Sequence, residues 1–330
     1  MALSKITNAS VADTAVHGRR NMIINGAMQV AQRGTSFSTS TSQYTLDRMR
    51  RSESSLSTAV IGVEQSTDAP DGFSYSFKAT TTTVEGAVNT ADAYYPLVYR
   101  IEAQDLQHLQ YATTNAKTLT ASFWVKSSVT GTYVLSLYNS DNARMIGKTY
   151  SVNTANTWEY KTLTFSGDTT DGFNNDTGTG LELYFAAGAG SNFTSGTLAS
   201  SWEDYSAANF LAGQSVNLQN TLNATWQITG VQLEVGDTAT PFEHRSYGEE
   251  LALCQRYYSQ ASLTVDGLDV GDTSYNAYIW FKSSMRASPS VTQTNFNGHG
   301  DITAITATES IRFRRIGGFQ ITSYTADAEL

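Results

Sequence analysis

ITGVQLEVGDTATPFEHRSYGEELALCQRYY, residues Ile228–Tyr258, changes its periodicity within one stretch. Val231, Leu233 and Val235 alternate with Gln232 and Glu234, the two-residue period of a strand with one aliphatic and one polar face. Gly236-Asp237 marks a turn, and Pro241 biases the residue before it away from the helical region, so the chain is expected to turn out over Asp237–Pro241. Ser246 and Glu249 then form an S-x-x-E capping box, Glu249 and Glu250 sit where the helix dipole favours anions, and Arg256 lies near the opposite end. Tyr247, Leu251, Cys254 and Tyr258, spaced four, three and four residues apart, make an apolar stripe suited to packing on the body or on sister subunits. In that stripe Cys254 is expected to be a packed thiol and not a nucleophile. The whole stretch reads as a joint: a strand closes one module and a helix leads to the next.

Working outward, the same alternation recurs. Ala121, Phe123 and Val125 oppose Ser122, Trp124 and Lys126; Tyr133, Leu135 and Leu137 oppose Val134, Ser136 and Tyr138; Leu181, Leu183 and Phe185 oppose Glu182, Tyr184 and Ala186. Strands with one aliphatic and one mixed face make a sheet packed on a core from one side, leaving the other presented. If these strands are neighbours, the presented face carries Trp124, Lys126, Tyr138, Glu182, Tyr184, Gln232 and Glu234. Short β runs from Asn21 onward, separated by Gly, Asn, Asp and Ser clusters, predict an all-β fold, an antiparallel β-sandwich. Leu106, Leu109 and Tyr111 predict a short helix over Glu102–Tyr111. Beyond Tyr258 the runs Tyr275–Phe281, Ser290–Thr294, Ser310–Ile316 and Phe319–Tyr324 predict a small C-terminal β unit, with Gly317-Gly318 as the turn of a hairpin. The expected division is an arm at 1–20, a sandwich body at 21–245, which the resemblance given below implies to be a jelly roll, a connecting helix at 246–258 and the β unit at 259–330.

Composition supports strands. The chain of 330 residues contains 44 Thr and 36 Ser, with 11% aromatic and 15% charged residues. A net charge of −9 without a basic stripe excludes a phosphate-backbone partner, so no nucleic acid is expected. A single cysteine cannot make an internal disulfide, which points to a reducing cytoplasm during folding. No signal-peptide pattern and no apolar run near the ~20 residues a bilayer requires is present, so a soluble protein without membrane insertion is expected. Residues 1–20 lack alternation and end on the basic His17-Gly18-Arg19-Arg20; they read as an attachment arm or as a loose tail.

Chemistry-bearing motifs are sparse. His17, His108, His244 and His299 are scattered outside metal-ligand spacing, and no nucleophile elbow, phosphate loop or Cys–His arrangement is visible. Neither a catalytic residue, a cofactor nor a metal is expected. Asp168, Asp171, Asp176 and Glu182 read as solvated loop acids, although two of them could flank a glycosidic bond. GDTTDGFNNDTGTG, Gly167–Gly180, has the composition of a calcium loop without the spacing of an EF-hand, and reads as an Asx-rich turn. The mixed face is the best functional clue. Trp and Tyr beside Gln and Glu suit a sugar, whose C–H face stacks on rings while its hydroxyls meet amides and carboxylates. The same residues also suit a subunit interface or a second core layer.

Four segments resemble a known family: NMIINGAMQVAQRGTSFS with YTLDRMR (within Asn21–Arg50), Leu119–Phe165, GLELYFAAGAGSNFTSGTLASSW (Gly180–Trp202) and WQITGVQLEVGDTATPFEHRSYGEELALCQRYY (Trp226–Tyr258). The resemblance is to virion fibre proteins of tailed phages of marine bacteria, whose central module is similar to carbohydrate-binding jelly rolls. It implies a homotrimeric virion structural protein, a tail fibre or spike or a head fibre, attached to other virion proteins through residues 1–20. Members usually have a longer attachment region, so head or tail location stays open. The last core strand of such modules often supplies an Asp to a structural calcium; here the matching Ile228-Thr229-Gly230-Val231 carries no carboxylate. The implied function is recognition of host-surface glycan, with Trp124, Tyr138 and Tyr184 stacking and Glu182 and Gln232 hydrogen bonding. The alternatives are a structural capsid-decoration or tail-adaptor protein, and a polysaccharide depolymerase, which requires paired carboxylates in a cleft.

Overall fold

The computed structural model describes residues 19–38, 41–86, 91–267, 274–295, 303–316 and 319–330. The chain divides into two compact units, the first ending at His244 and the second beginning at Arg245. His17, His299, Gly317-Gly318 and most of the expected arm lie outside the described residues.

Nine strands of four or more residues build the first unit: β1 (Val60–Ser66), β2 (Ser76–Thr83), β3 (Tyr94–Glu102), β4 (Leu119–Ser127), β5 (Gly131–Asn139), β6 (Arg144–Val152), β7 (Glu159–Phe165), β8 (Thr179–Ala189) and β9 (Thr225–Val235). They form an antiparallel β-sandwich. One sheet has six strands in the order Ser36–Phe37, β1, β2, β9, β4, β7. The other has seven, in the order Glu203–Asp204, β6, β5, β8, β3, Arg50–Arg51, Gln43–Tyr44. Phe123, Leu135, Leu183 and Leu233, the inward positions of four alternating strands, are fully buried in one shared core. The periodicity of the sequence thus maps directly onto the interior.

Strand β9 keeps its aliphatic face inward by means of a bulge. Trp226 and Ile228 face the core, as do Val231 and Leu233, so the inward positions change parity between them. The ladder to β4 skips from Thr229↔Trp124 to Gln232↔Ser122, and Gly230 between them has φ +62°. A glycine at positive φ absorbs the extra residue without strain. Beyond the bulge, β9 hydrogen-bonds residues 21–26: Met22 N donates to Leu233 O at 2.9 Å and Val231 N to Gly26 O at 3.0 Å.

At the edge of the six-stranded sheet, β7 sets Glu159 and Lys161 opposite the core residues Val125 and Phe123. Both charged side chains therefore point to the inner side, where they pair at 2.6 Å.

The helix expected over Glu102–Tyr111 is a 3-10 helix, Ala103–Leu109. Ala103, Leu106 and Leu109 are its buried residues, and positions three apart line up in a 3-10 helix as they do not in an α-helix. The segment 167–180 differs from the expected solvated turn. Asp168 is 1% exposed and accepts from Arg144 Nε at 2.6 Å; Asp171 lies 3.3 Å from the same nitrogen, and Asp204 accepts from Arg144 Nη1 at 2.8 Å. The hydrogen bond to Asp168 is the main cause that holds the guanidinium above its ordinary pKa. These acids lock a loop to the sheet edge.

The second unit opens with α3 (Tyr247–Gln255), following α1 (Ser191–Thr194) and α2 (Ala207–Phe210) of the first. Ser246 caps α3 as the capping box requires, its Oγ accepting from Glu249 N at 3.3 Å. The expected stripe is only partly realised. Cys254 is fully buried and Leu251 half-buried, but Tyr247 is 56% exposed, and the helix ends at Gln255 because Tyr258 pairs with Asp327 as a strand. Six strands follow: β10 (Tyr258–Gly267), β11 (Ser274–Trp280), β12 (Ser290–Asn295), β13 (Thr303–Thr306), β14 (Ser310–Ile316) and β15 (Phe319–Asp327). They make two three-stranded sheets, β10-β15-β12 and β11-β14-β13. The expected hairpin between β14 and β15 does not form, since these consecutive strands belong to different sheets. Each instead supplies apolar residues to one small core, Ile311 and Phe313 from β14, Ile321, Tyr324 and Ala326 from β15.

Candidate functional site

The five residues expected to share one face lie on two. Trp124 (β4) and Gln232 (β9) belong to the six-stranded sheet, Tyr138 (β5), Glu182 and Tyr184 (β8) to the seven-stranded one. Both sheets give their aliphatic faces to the common core, so the mixed faces point in opposite directions. Alternation alone cannot tell these cases apart.

On the seven-stranded sheet the outer face is largely covered by the chain itself. Val134, Met145 and Ala186 are buried with Ala199, Phe210 and Leu211 from the segment after β8, and Tyr138 and Tyr184 pack partly against this layer. The Tyr184 ring centroid lies 5.0 Å from that of Phe210, and Ser136 Oγ donates to Phe210 O. The covering layer approaches Gly147 closely: a Cβ on it would meet Leu198 Cδ1 at 2.5 Å. Glu182 is occupied internally, accepting from Arg100 Nε at 2.8 Å, Ser140 Oγ at 2.7 Å and Tyr184 Oη at 3.0 Å. Burial, reinforced by the nearby Tyr94 and Glu182, raises the Tyr184 pKa well above its ordinary value, and burial likewise raises that of Tyr138. This side is a second core layer.

The outer face of the six-stranded sheet remains open in part. Ser122 and Gly230 form the floor of a groove of about 530 Å³, within the range of small-ligand sites. Trp124 stands on one side, directly opposite Tyr160 on β7, with ring centroids 5.3 Å apart. On the other side stand Phe73, Phe242 and His244, mutually packed with centroids 4.9–5.3 Å apart. Gly230 shapes the floor: a Cβ there would meet Phe73 Cζ at 2.6 Å. The side chains of Asp71, Ser122, Trp124 and Tyr160 make no hydrogen bond with any described residue, which leaves a carboxylate, two hydroxyls and an indole N–H at the groove. Lys126, next along the same face, is already engaged: it pairs with Asp68 at 2.6 Å and lies 5.8 Å from the Trp158 ring centroid. Burial opposes the charge on Asp68, but hydrogen bonds from Lys126, Gln227 and Trp158 outweigh it and hold its pKa below the ordinary value.

Gln232 is fully buried and serves as a support. Its Oε1 accepts from Glu243 N at 2.9 Å and its Nε2 donates to Thr240 O at 3.2 Å, while Glu234 accepts from Thr240 N at 2.8 Å and from Thr240 Oγ1 at 2.6 Å. From the other side Arg20 Nη1 donates to Thr240 Oγ1 at 2.8 Å, and Arg19 N and Asn21 N donate to the Glu243 carboxylate at 3.0 and 2.8 Å. The chain after β9 therefore does not simply turn out at Pro241. It folds back over the sheet and supplies a wall of the groove. Phe73, Tyr160, Phe242 and His244 were missed in the sequence because they sit in loops or on a polar edge strand; the glycine inside β9 was the available signal of a close approach.

Among the described residues no helix is long and apolar enough to cross a membrane, and no group of three or more His, Cys, Asp or Glu is placed to hold a metal ion.

No family model matches the chain, and no curated protein matches it. Solved structures do. The enzymatically active domain of tailspike protein 4 of bacteriophage CBA120 matches at TM-score 0.35 and 11% identity, over 66% of this chain and 22% of that one. TmCBM61 in complex with β-1,4-galactotriose matches at TM-score 0.31 and 10% identity, over 66% of this chain and 99% of that one. The family 11 carbohydrate-binding module of a cellulosomal cellulase of Clostridium thermocellum matches at TM-score 0.29 and 10% identity, over 59% of this chain and 91% of that one.

Proposed function

We propose that the first unit binds glycan in the groove of the six-stranded sheet, as the recognition module of a phage appendage. One observation carries this reading. Trp124 with Tyr160, and Phe73 with Phe242 and His244, line one groove together with the small residues Ser122 and Gly230. Two ring-lined walls accept the apolar C–H faces of a pyranose, and the unengaged groups of Asp71, Ser122, Trp124 and Tyr160 meet its hydroxyls. Tyr138, Glu182 and Tyr184 have no part in the site, and Gln232 acts through the 240–243 wall.

The role is binding without cleavage. Asp71 is the one carboxylate among the residues lining the groove, whereas glycoside hydrolysis requires two that flank the bond. The virion setting rests on the resemblance of Asn21–Arg50 and Trp226–Tyr258 to phage fibre proteins. In a homotrimer, weak single sites combine through effective concentration into firm attachment.

A glycan array probed with the full chain tests the reading. Expected is binding to a set of host-surface oligosaccharides, lost in Trp124→Ala, retained in Tyr138→Phe, and without release of shorter fragments. Failure of every glycan to bind, or binding unchanged in Trp124→Ala, overturns it.

A further inference from the structure

The second unit carries an aromatic face of its own. In the sheet β11-β14-β13 the inward positions Ala277, Ile311 and Phe313 enter the small core. The alternate positions point away from it. Tyr278 is then 57% exposed, Trp280 71% and Ile305 40%. Arg312 lies between two of these in register, paired with Tyr278 on one side and Ile305 on the other, while Trp280 pairs with Ser310. The Arg312 side chain makes no ion pair or hydrogen bond with any described residue. Arg314, Thr303 and Ser310 occupy the neighbouring outward positions, so no carboxylate is among these residues although the chain as a whole has a net charge of −9.

We propose that this face is a second glycan site, selective for anionic chains whose sugars carry carboxylate or sulfate. A ring stacked on Tyr278 places an acidic substituent beside Arg312, directly across the ladder at roughly 5 Å, and the next sugar meets Trp280 two residues along the strand. The planar guanidinium offers paired donors to carboxylate or sulfate oxygens. Charge complementarity decides against a second copy of the chain in a self-complementary contact, which would bring Arg312 toward its own counterpart without a carboxylate among the described outward residues to offset it. The groove of the first unit has no lysine or arginine among its lining residues, so the two sites select different sugars.

The test uses the full chain with Trp124→Ala, which silences the groove, in affinity electrophoresis through gels containing polygalacturonate, dextran sulfate or neutral dextran. Expected is retardation by a charged polymer, weakened by added salt, and little by neutral dextran. Trp280→Ala and Arg312→Gln should each weaken retention about tenfold, and Arg312→Lys should restore part of it. Both side chains point outward, and sedimentation should show the same subunit number in every variant. Absence of retardation, equal retardation by neutral dextran, or a Trp280→Ala chain that changes its subunit number overturns the proposal; the last result identifies the face as a subunit interface. Loss of groove binding in the first unit leaves the proposal standing.

Discussion

Trp124 and Tyr160 are direct cross-strand partners on β4 and β7, their ring centroids 5.3 Å apart and their planes inclined at 52°. An inclined pair presents two differently oriented stacking surfaces to one ligand. Tyr160 is 46% exposed and carries little of the fold. Tyr160→Ala should therefore lower glycan affinity about tenfold while shifting the unfolding free energy by less than about 1 kcal/mol. Isothermal titration alongside urea unfolding checks both halves; a large loss of stability would mark the ring as structural.

Gly230→Ala is expected to disturb fold and site together. The residue has φ +62°, and the added methyl would meet Phe73 Cζ at 2.6 Å. Backbone strain alone costs about 1–3 kcal/mol, and Phe73 must move out of the groove wall. Urea midpoints and binding titrations should fall in step, and unchanged stability would contradict the bulge.

Gln232→Leu removes the acceptor for Glu243 N and the donors to Thr240 from a fully buried position. Leaving such a group unpaired costs about 1–3 kcal/mol. Affinity should fall although Gln232 is not among the residues lining the groove, since Phe242 and His244 ride on the released segment. Faster amide exchange at 239–244 in the variant is the diagnostic measurement.

Glu159 gives the sandwich an acid-sensitive contribution. Burial opposes its charge, but hydrogen bonds from Lys161 and from the amides of Thr154 and Asn153 prevail and lower its pKa from 4.5 to about 2. A carboxylate whose folded pKa is depressed contributes stability that is present above 4.5 and is lost as the pH falls toward about 2. Glu159→Gln should be less stable than the parent at neutral pH and show a flatter dependence over that window. Parallel curves for the two proteins, from thermal melts across the acid range, would refute the assignment.

The core was legible because inward positions obey one rule. Phe123, Leu135, Leu183 and Leu233 repeat at alternate positions, and every one ends in the same interior. Ser246 and Glu249 were legible for a similar reason, since a cap is a local contact. Sheet membership was not. β4 neighbours β9 and β7, whereas β5 neighbours β8 and β6, so Trp124 and Tyr184 share a local pattern and part company only through long-range pairing. The walls of the groove were hidden for another reason. Phe73 comes from a loop packed on Gly230, far along the chain, and Phe242 from a loop tied to Gln232 by polar contacts, and a lone aromatic in a loop has no periodicity to betray it. The absent β14–β15 hairpin adds the converse: a local turn signal does not decide pairing, and here the flanking strands belong to separate sheets and both supply the same small core.

The inward-turned Lys161 and Glu159 bear on crowding. A foreign strand annealing to the margin of the six-stranded sheet would seal both charges away from water, a cost that grows with every added strand. Copies of the module at high local concentration can thus stand shoulder to shoulder without their sheets zipping into fibrils, and the groove beside that margin stays open.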